Sequence, residues 1–166
     1  MNVTTLKNQG VHEIPLISTD EKLESPSLTK YALVAQEIII TRENMGKLEK
    51  PSLSGRVRGC CGDSIQIDLS LDGNLIKDAR FQTDGCSATI ACGGMITRMI
   101  KGKTLAEALK FDSDALRKAL GGLPHGHQHC ANLAVNTLRT VILNGTSEDT
   151  LETLIHPHSQ ENNLRH

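Results

Sequence analysis

Three short blocks between Gly59 and Cys130 each place a thiol at a turn: Gly59-Cys60-Cys61-Gly62-Asp63, Asp84-Gly85-Cys86-Ser87 and His127-Gln128-His129-Cys130. No two of Cys61, Cys86 and Cys130 stand close enough in sequence to form a local Cys-x-x-C hook of the finger or thioredoxin kind, so the fold must gather them. Together they read as one metal or sulfur site.

The chemistry follows from where the thiols sit. Cys86 precedes a helical stretch and Cys130 falls in the first turn of another, and unpaired N–H groups at a helix start favour the thiolate, the form that binds metal or attacks sulfur. Cys61 is followed by Gly62 and Asp63, and a glycine turn lets the carboxylate swing to the side of the thiol. Three sulfurs and one oxygen suit tetrahedral Zn(II), or an iron–sulfur cluster whose single hard ligand leaves it easy to release. His129 can replace or supplement Asp63.

Other candidates carry weaker signals. A lone buried cysteine is usually a small hydrophobe, and Cys92, about a third of the way round the helix from Cys86, is read as core packing. Cys60 points away from Cys61 in extended backbone, which leaves it at most a reserve or redox thiol. His125 and His127 alternate with His129 and are read first as solvent histidines, with an accessory metal patch as the second reading. Gly102-Lys103-Thr104 resembles the end of a phosphate loop, but its earlier glycine is missing and it follows a helix, so nucleotide binding is rejected.

Composition excludes several classes. The 166 residues suit one domain, and 38% hydrophobic content with only Tyr31, Phe81 and Phe111 as aromatics calls for an aliphatic core. Eighteen Lys plus Arg against 19 Asp plus Glu give no basic footprint, so neither nucleic acid nor a membrane surface is expected as partner. The N-terminus lacks a charged-then-apolar leader, and an odd count of five cysteines without one argues for reduced thiols, hence a cytoplasmic protein.

Along the chain, residues 1–27 are polar and read as a flexible tail. From Ser27, a candidate N-cap, to Ile40 a helix is favoured, although Ile38-Ile39-Ile40 also suits a strand. Residues 43–55 read as a loop leading to a short strand near Arg56–Arg58. Ile65, Ile67, Leu69 and Leu71 alternate with polar residues, and Asp72-Gly73 turns this strand toward a partner bearing Leu75, Ala79 and Phe81. Helices are expected over Ser87–Lys101, Thr104–Lys110, Asp112–Leu120 and Gln128–Leu143, with Thr104/Glu107 and Asp112 as caps. Residues 146–166 read as a second tail, with one or two helical turns around Leu151–Ile155.

Six motifs, Gly46-Lys47-Leu48-Glu49, Cys61-Gly62-Asp63, Phe81-Gln82-Thr83-Asp84-Gly85-Cys86, Ile100-Lys101-Gly102-Lys103-Thr104, Gly121-Gly122-Leu123-Pro124 and His129-Cys130-Ala131-Asn132-Leu133-Ala134, closely resemble the NifU/IscU family of iron–sulfur cluster scaffolds, in that family's order. The resemblance runs from about Tyr31 to Leu143 and points to the NifU-like N-terminal domain in single-domain form, spanning residues 28–145. It implies an α+β fold, a small antiparallel three-stranded sheet with helices packed on one face. It implies ligation of a [2Fe–2S] cluster by Cys61, Cys86 and Cys130, assisted by Asp63 or His129. It implies a cysteine desulfurase as sulfur donor and apo iron–sulfur proteins as recipients, with a carrier role and not that of an enzyme; a homodimer stays open. Three places differ from the family. Thr41-Arg42-Glu43-Asn44 stands for Asn-Pro-x-Asn, and Gly59-Cys60 stands where Pro and a small residue are common. Leu123-Pro124-His125 lacks the Leu-Pro-Pro-Val-Lys signal, which counts against docking of a dedicated heat-shock chaperone. A zinc-dependent sulfurtransferase and a structural zinc domain are the alternative readings of the same thiols.

Overall fold

Alternation in one strand sets the architecture. Ile65, Ile67 and Leu69 of β2 (Ser64–Asp72) are fully buried on one side, and Gln66, Asp68 and Ser70 occupy the other. In this computed structural model, which describes residues 28–155, β2 is the centre of a three-stranded antiparallel sheet ordered β1-β2-β3. Its neighbours are β1 (Leu53–Arg58) and β3 (Leu75–Thr83). The register sets Leu53, Leu69 and Ala79 in one row and Gly55, Ile67 and Phe81 in the next, so one face is apolar across all three strands. β1 begins earlier than expected, inside the stretch read as loop. Gly55 has no side chain and Ser54 belongs to the polar face, so only Leu53 and Val57 carry the alternation there. The hairpin turns at Gly73, at φ +58, and a register shift between Ser70 and Leu71 leaves Lys77 as a bulge.

Helices cover the apolar face. α1 (Leu33–Thr41) precedes the sheet, and α2 (Ser87–Ile100), α3 (Leu105–Leu109), α4 (Ser113–Ala119), α5 (Gln128–Gly145) and α6 (Glu148–Ile155) follow it. α2 packs on β3, α5 on β1 and β2, and α1 on α2. Close approach is written into Gly93-Gly94: a Cβ at Gly93 would run into the Phe81 ring, and one at Gly94 into Cγ2 of Ile38. Ile38-Ile39-Ile40 is helical, because Ile38 and Ile39 are buried on one stripe. The expected caps are present: Thr104 and Glu107 form a reciprocal capping box, and Asp112 accepts from the Ala115 N–H at 2.7 Å. α1 starts at Leu33 with Ala32 as N-cap; Ser27, the tail of residues 1–27 and residues 156–166 lie outside the described residues. Among the described residues no helix is long and apolar enough to cross a membrane.

The opposite face is polar and partly roofed. After α1 the chain pairs with β3 through Gly46 N–H to the Phe81 carbonyl, at 2.8 Å. It then crosses to β1, with the Leu48 N–H donating to Oδ2 of Asp68 at 3.2 Å. Ser54 and Gln66 also donate to Asp68, which satisfies a carboxylate that is only 3% exposed. Antiparallel pairing of Arg58 with Ser64 and of Ile65 with Thr83 puts the β1–β2 loop and the β3–α2 junction at the same end of the sheet. The site is built at that end.

Candidate metal centre

Each thiol block arrives on a different element. Residues 59–63 close the β1–β2 hairpin, held by the Gly59 N–H donating to the Asp63 carbonyl at 2.8 Å and the Gly62 N–H to the Gly59 carbonyl at 3.1 Å. Cys86 is the N-cap of α2, and Cys130 lies in the first turn of α5 after a turn in which the His127 N–H donates to the Pro124 carbonyl at 3.1 Å. Thr89, in the first turn of α2 and fully buried, ties the blocks together. Its Oγ1 donates to Oδ2 of Asp63 at 3.0 Å and lies 3.4 Å from Sγ of Cys130 and 3.6 Å from Sγ of Cys86. The Cys86 N–H also points to Oδ2 of Asp63, at 3.5 Å. The Asp63 carboxylate therefore supplements the Cys86 thiol at the N-terminus of α2. Gly85 makes room for this, since a Cβ there would stand 2.7 Å from that carboxylate oxygen.

Sγ of Cys86, a ring nitrogen of His127 and Sγ of Cys130 all lie within 4.8 Å of one another. Nδ1 of His127 is 3.8 Å from Sγ of Cys86, and Nε2 of His129 is 3.6 Å from Sγ of Cys130. The two rings stack, with centroids 6.4 Å apart. Cys61 is exposed on the hairpin loop, outside the 4.8 Å group, but close enough for its charge to act on Cys130. Cys60 is exposed beside it, and both line a cleft of about 300 Å³ with Arg58, His129, Asn132 and Asn136. Cys92 is fully buried and packed in the core. The histidine that sequence reasoning set in solvent, His127, thus stands at the thiols. No local signal distinguishes it from His125; the turn at Gly126, φ +84, is what aims the chain.

The electrostatics split the two helix-start thiols. Burial pushes the Cys86 thiol up, but the N–H of Thr89, the Thr89 hydroxyl and the N–H of Ala88 outweigh it and hold Cys86 below the ordinary thiol range. Cys130, expected to be lowered in the same way, is pushed up to about 11. Burial is the main cause, the Thr89 hydroxyl opposes it, and the nearby Cys86 and Cys61 add to it. The correction is one of depth: position in a first helical turn is visible in sequence, full burial behind a second thiol is not. Tyr31, 5% exposed, has its phenol raised to about 12 by burial and by the charges of Cys86, Cys130 and Cys92. All five cysteines are free thiols. The donor set, soft sulfurs with imidazole and one carboxylate at a rim, fits zinc or an iron–sulfur cluster and does not fit hard cations such as magnesium or calcium.

The profile described as NifU-like N terminal domain matches residues 30–149. The chain belongs to this family. The iron-sulfur cluster assembly scaffold protein IscU 1 of Archaeoglobus fulgidus is 48% identical over 101 residues, covering 60% of this chain and 66% of that protein. The scaffold protein IscU of Aquifex aeolicus is 37% identical over 102 residues, covering 60% and 65%. The matched stretch thus spans just under two thirds of the length of these relatives. A crystal structure of a SUF-system protein from Fervidobacterium islandicum AW-1 superposes with TM-score 0.59 at 22% identity, covering 70% of this chain and 98% of that one, which shows the shared fold.

Proposed function

We propose that this chain is an iron–sulfur cluster assembly scaffold. It takes sulfur from a cysteine desulfurase, assembles a [2Fe–2S] cluster on Cys61, Cys86 and Cys130 with Asp63 or His129 as the further ligand, and passes it to apo-proteins in the reducing cytoplasm. The observation that carries the reading is the convergence of three elements, the β1–β2 loop, the start of α2 and the start of α5, on a thiol site at one end of the sheet. A buried site would trap the cluster. Here Cys86 and Cys61 are exposed and only Cys130 is covered, so a cluster is anchored on one side and open to a recipient on the other.

Asp63 supplies the release. Its Oδ2 is held by Thr89 and the Cys86 N–H, so ligation of iron must compete with those hydrogen bonds. A carboxylate drawn in two directions is a weak ligand, and the hard oxygen is already the poorest match in a thiolate set. The test is to reconstitute wild type and Asp63→Ala anaerobically and follow both the decay of visible absorbance and transfer to apo-ferredoxin. Slower loss and slower transfer in Asp63→Ala are expected. Equal rates would make Asp63 a turn residue only, and no transfer from wild type would sink the scaffold reading.

A second reading, a zinc-bound sulfur acceptor, is favoured by one specific observation. An imidazole, that of His127, joins Cys86 and Cys130 in one group whose donor atoms lie within 4.8 Å of one another, and mixed nitrogen and sulfur donors are a common zinc set.

A further inference from the structure

We propose that Cys60 is the resolving thiol of a vicinal pair, and that it frees the sulfur accepted by Cys61 as sulfide by closing a transient Cys60–Cys61 disulfide. The inference rests on the sulfur-accepting role proposed above and adds to it a reaction carried by sulfur alone.

The backbone sets the two thiols side by side. In extended chain neighbouring side chains point to opposite faces, but residues 60 and 61 are not extended. The Gly62 N–H donates to the Gly59 carbonyl at 3.1 Å, which makes Cys60 and Cys61 the two central residues of a β-turn. The Gly59 N–H closes the hairpin on the Asp63 carbonyl at 2.8 Å, and Gly62, at φ +90, takes the left-handed position. A Cβ on Gly59 would stand 3.3 Å from a methyl of Leu133, so the turn lies close against α5. These bonds are all made by backbone. Both thiols are exposed, and both line the same cleft of about 300 Å³. The remaining cysteines are worse placed to attack a sulfur on Cys61: Cys92 and Cys130 are fully buried, and Cys86 faces Thr89 and His127 across the site.

A disulfide between neighbours is strained, and the strain suits a transient role. Adjacent Cα atoms stand about 3.8 Å apart across a trans peptide, short of the roughly 4.4–6.8 Å that disulfides usually span. Strained and exposed disulfides are the readily reduced ones. The Cys60 thiolate attacks Sγ of Cys61 in the Cys61 persulfide. A bond forms between the two Sγ atoms, the bond to the outer sulfur breaks, and that sulfur leaves with the electron pair as HS⁻. The outer sulfur is reduced by two electrons, and the two cysteine sulfurs together lose the same number. Hydrosulfide is the base of a stronger acid than an alkyl thiol and so leaves readily, which favours closing the strained ring. Arg58, which lines the cleft, offers a positive charge to the departing anion. A dithiol reductant then returns the pair to thiols and is itself oxidised to a disulfide.

The experiment uses the full chain, metal-free and reduced, loaded with sulfur from inorganic polysulfide and then freed of excess by gel filtration without reductant. Wild type, Cys60→Ser and Cys61→Ser are compared by sulfide assay and by peptide mass, with circular dichroism as the check on folding. The proposal expects wild type to release sulfide and to yield a Cys60–Cys61 peptide lighter by the two thiol hydrogens. Cys60→Ser should keep its persulfide on Cys61 and, like Cys61→Ser, release sulfide at least about tenfold more slowly, because the intramolecular attack is lost. Adding dithiothreitol should restore release from Cys60→Ser. Release from Cys60→Ser at the wild-type rate overturns the proposal, as does a wild-type disulfide that joins Cys61 to Cys86 instead. Sulfide release that leaves the Cys60–Cys61 peptide in its dithiol form overturns it too, and so does a Cys60→Ser protein that holds no persulfide on Cys61. The scaffold reading fails on a different result, the absence of cluster transfer, since neither iron nor a recipient enters this experiment.

Discussion

Thr89 shows how much one side chain can carry at this site. A single hydroxyl proton goes to the nearest charged acceptor, Asp63, while the oxygen lies against both Cys86 and Cys130. Valine has the same shape without the hydroxyl, so Thr89→Val should unhitch Asp63 and remove one of the groups that lowers the Cys86 thiol. We expect alkylation of Cys86 in the metal-free protein near pH 8 to slow by up to about tenfold, the thiolate lost for one pKa unit, with Cys130 slower than Cys86 in both proteins. An unchanged Cys86 rate would show that the backbone N–H groups alone set its acidity. At this scale the sequence named the thiols from their turns, because Gly, Asp and helix starts leave local marks. It could not name Thr89 or choose His127, since both depend on which side chains meet across elements far apart in the chain.

The elements were legible wherever local pattern and tertiary burial agreed, as in β2 and in the capped α3 and α4, and least where a connection decides the backbone. The end of α1 is the clearest case. Arg42 at φ 55 caps the helix in the left-handed region, its N–H donating to the Ile38 carbonyl at 2.9 Å, and Asn44 follows at φ 59. The Asn44 side chain donates to Thr97 at 3.3 Å and accepts from Lys101 at 2.6 Å, while Arg98 pairs with Glu43, so the turn is bolted to α2. Proline at position 42 would be held at negative φ and would have no N–H to donate to Ile38. Arg42→Pro should therefore destabilise by about 3 kcal/mol, whereas Arg42→Gly, free of the left-handed strain, should be neutral or stabilising by up to about 1 kcal/mol. Denaturant melts of the two variants check this. A well-tolerated proline would mean that the turn adopts another backbone in solution.

For the whole molecule, a three-stranded sheet with helices on one face leaves one end free to present three loops. Length, thiol spacing and the six motifs conveyed that plan. What they left out is depth, since Cys130 and Cys86 look alike in sequence yet one is sealed in the core and the other is open. That asymmetry couples the site to the fold, because metal bound to the native state alone at 100 times its dissociation constant adds about 2.7 kcal/mol. In protein loaded with Zn(II), removing the ion with a chelator should lower the melting temperature by several degrees, and an unchanged melt would mean that the ion binds the folded and unfolded chains alike. The most direct test of the central claim is anaerobic reconstitution with iron and sulfide of wild type beside Cys61→Ser, Cys86→Ser, Cys130→Ser and Cys92→Ser, read by visible spectrum and by iron and sulfide content. A [2Fe–2S] spectrum in wild type and in Cys92→Ser, lost or sharply reduced in the other three, is the predicted result; normal cluster yield in Cys86→Ser, or no chromophore in wild type, would contradict it.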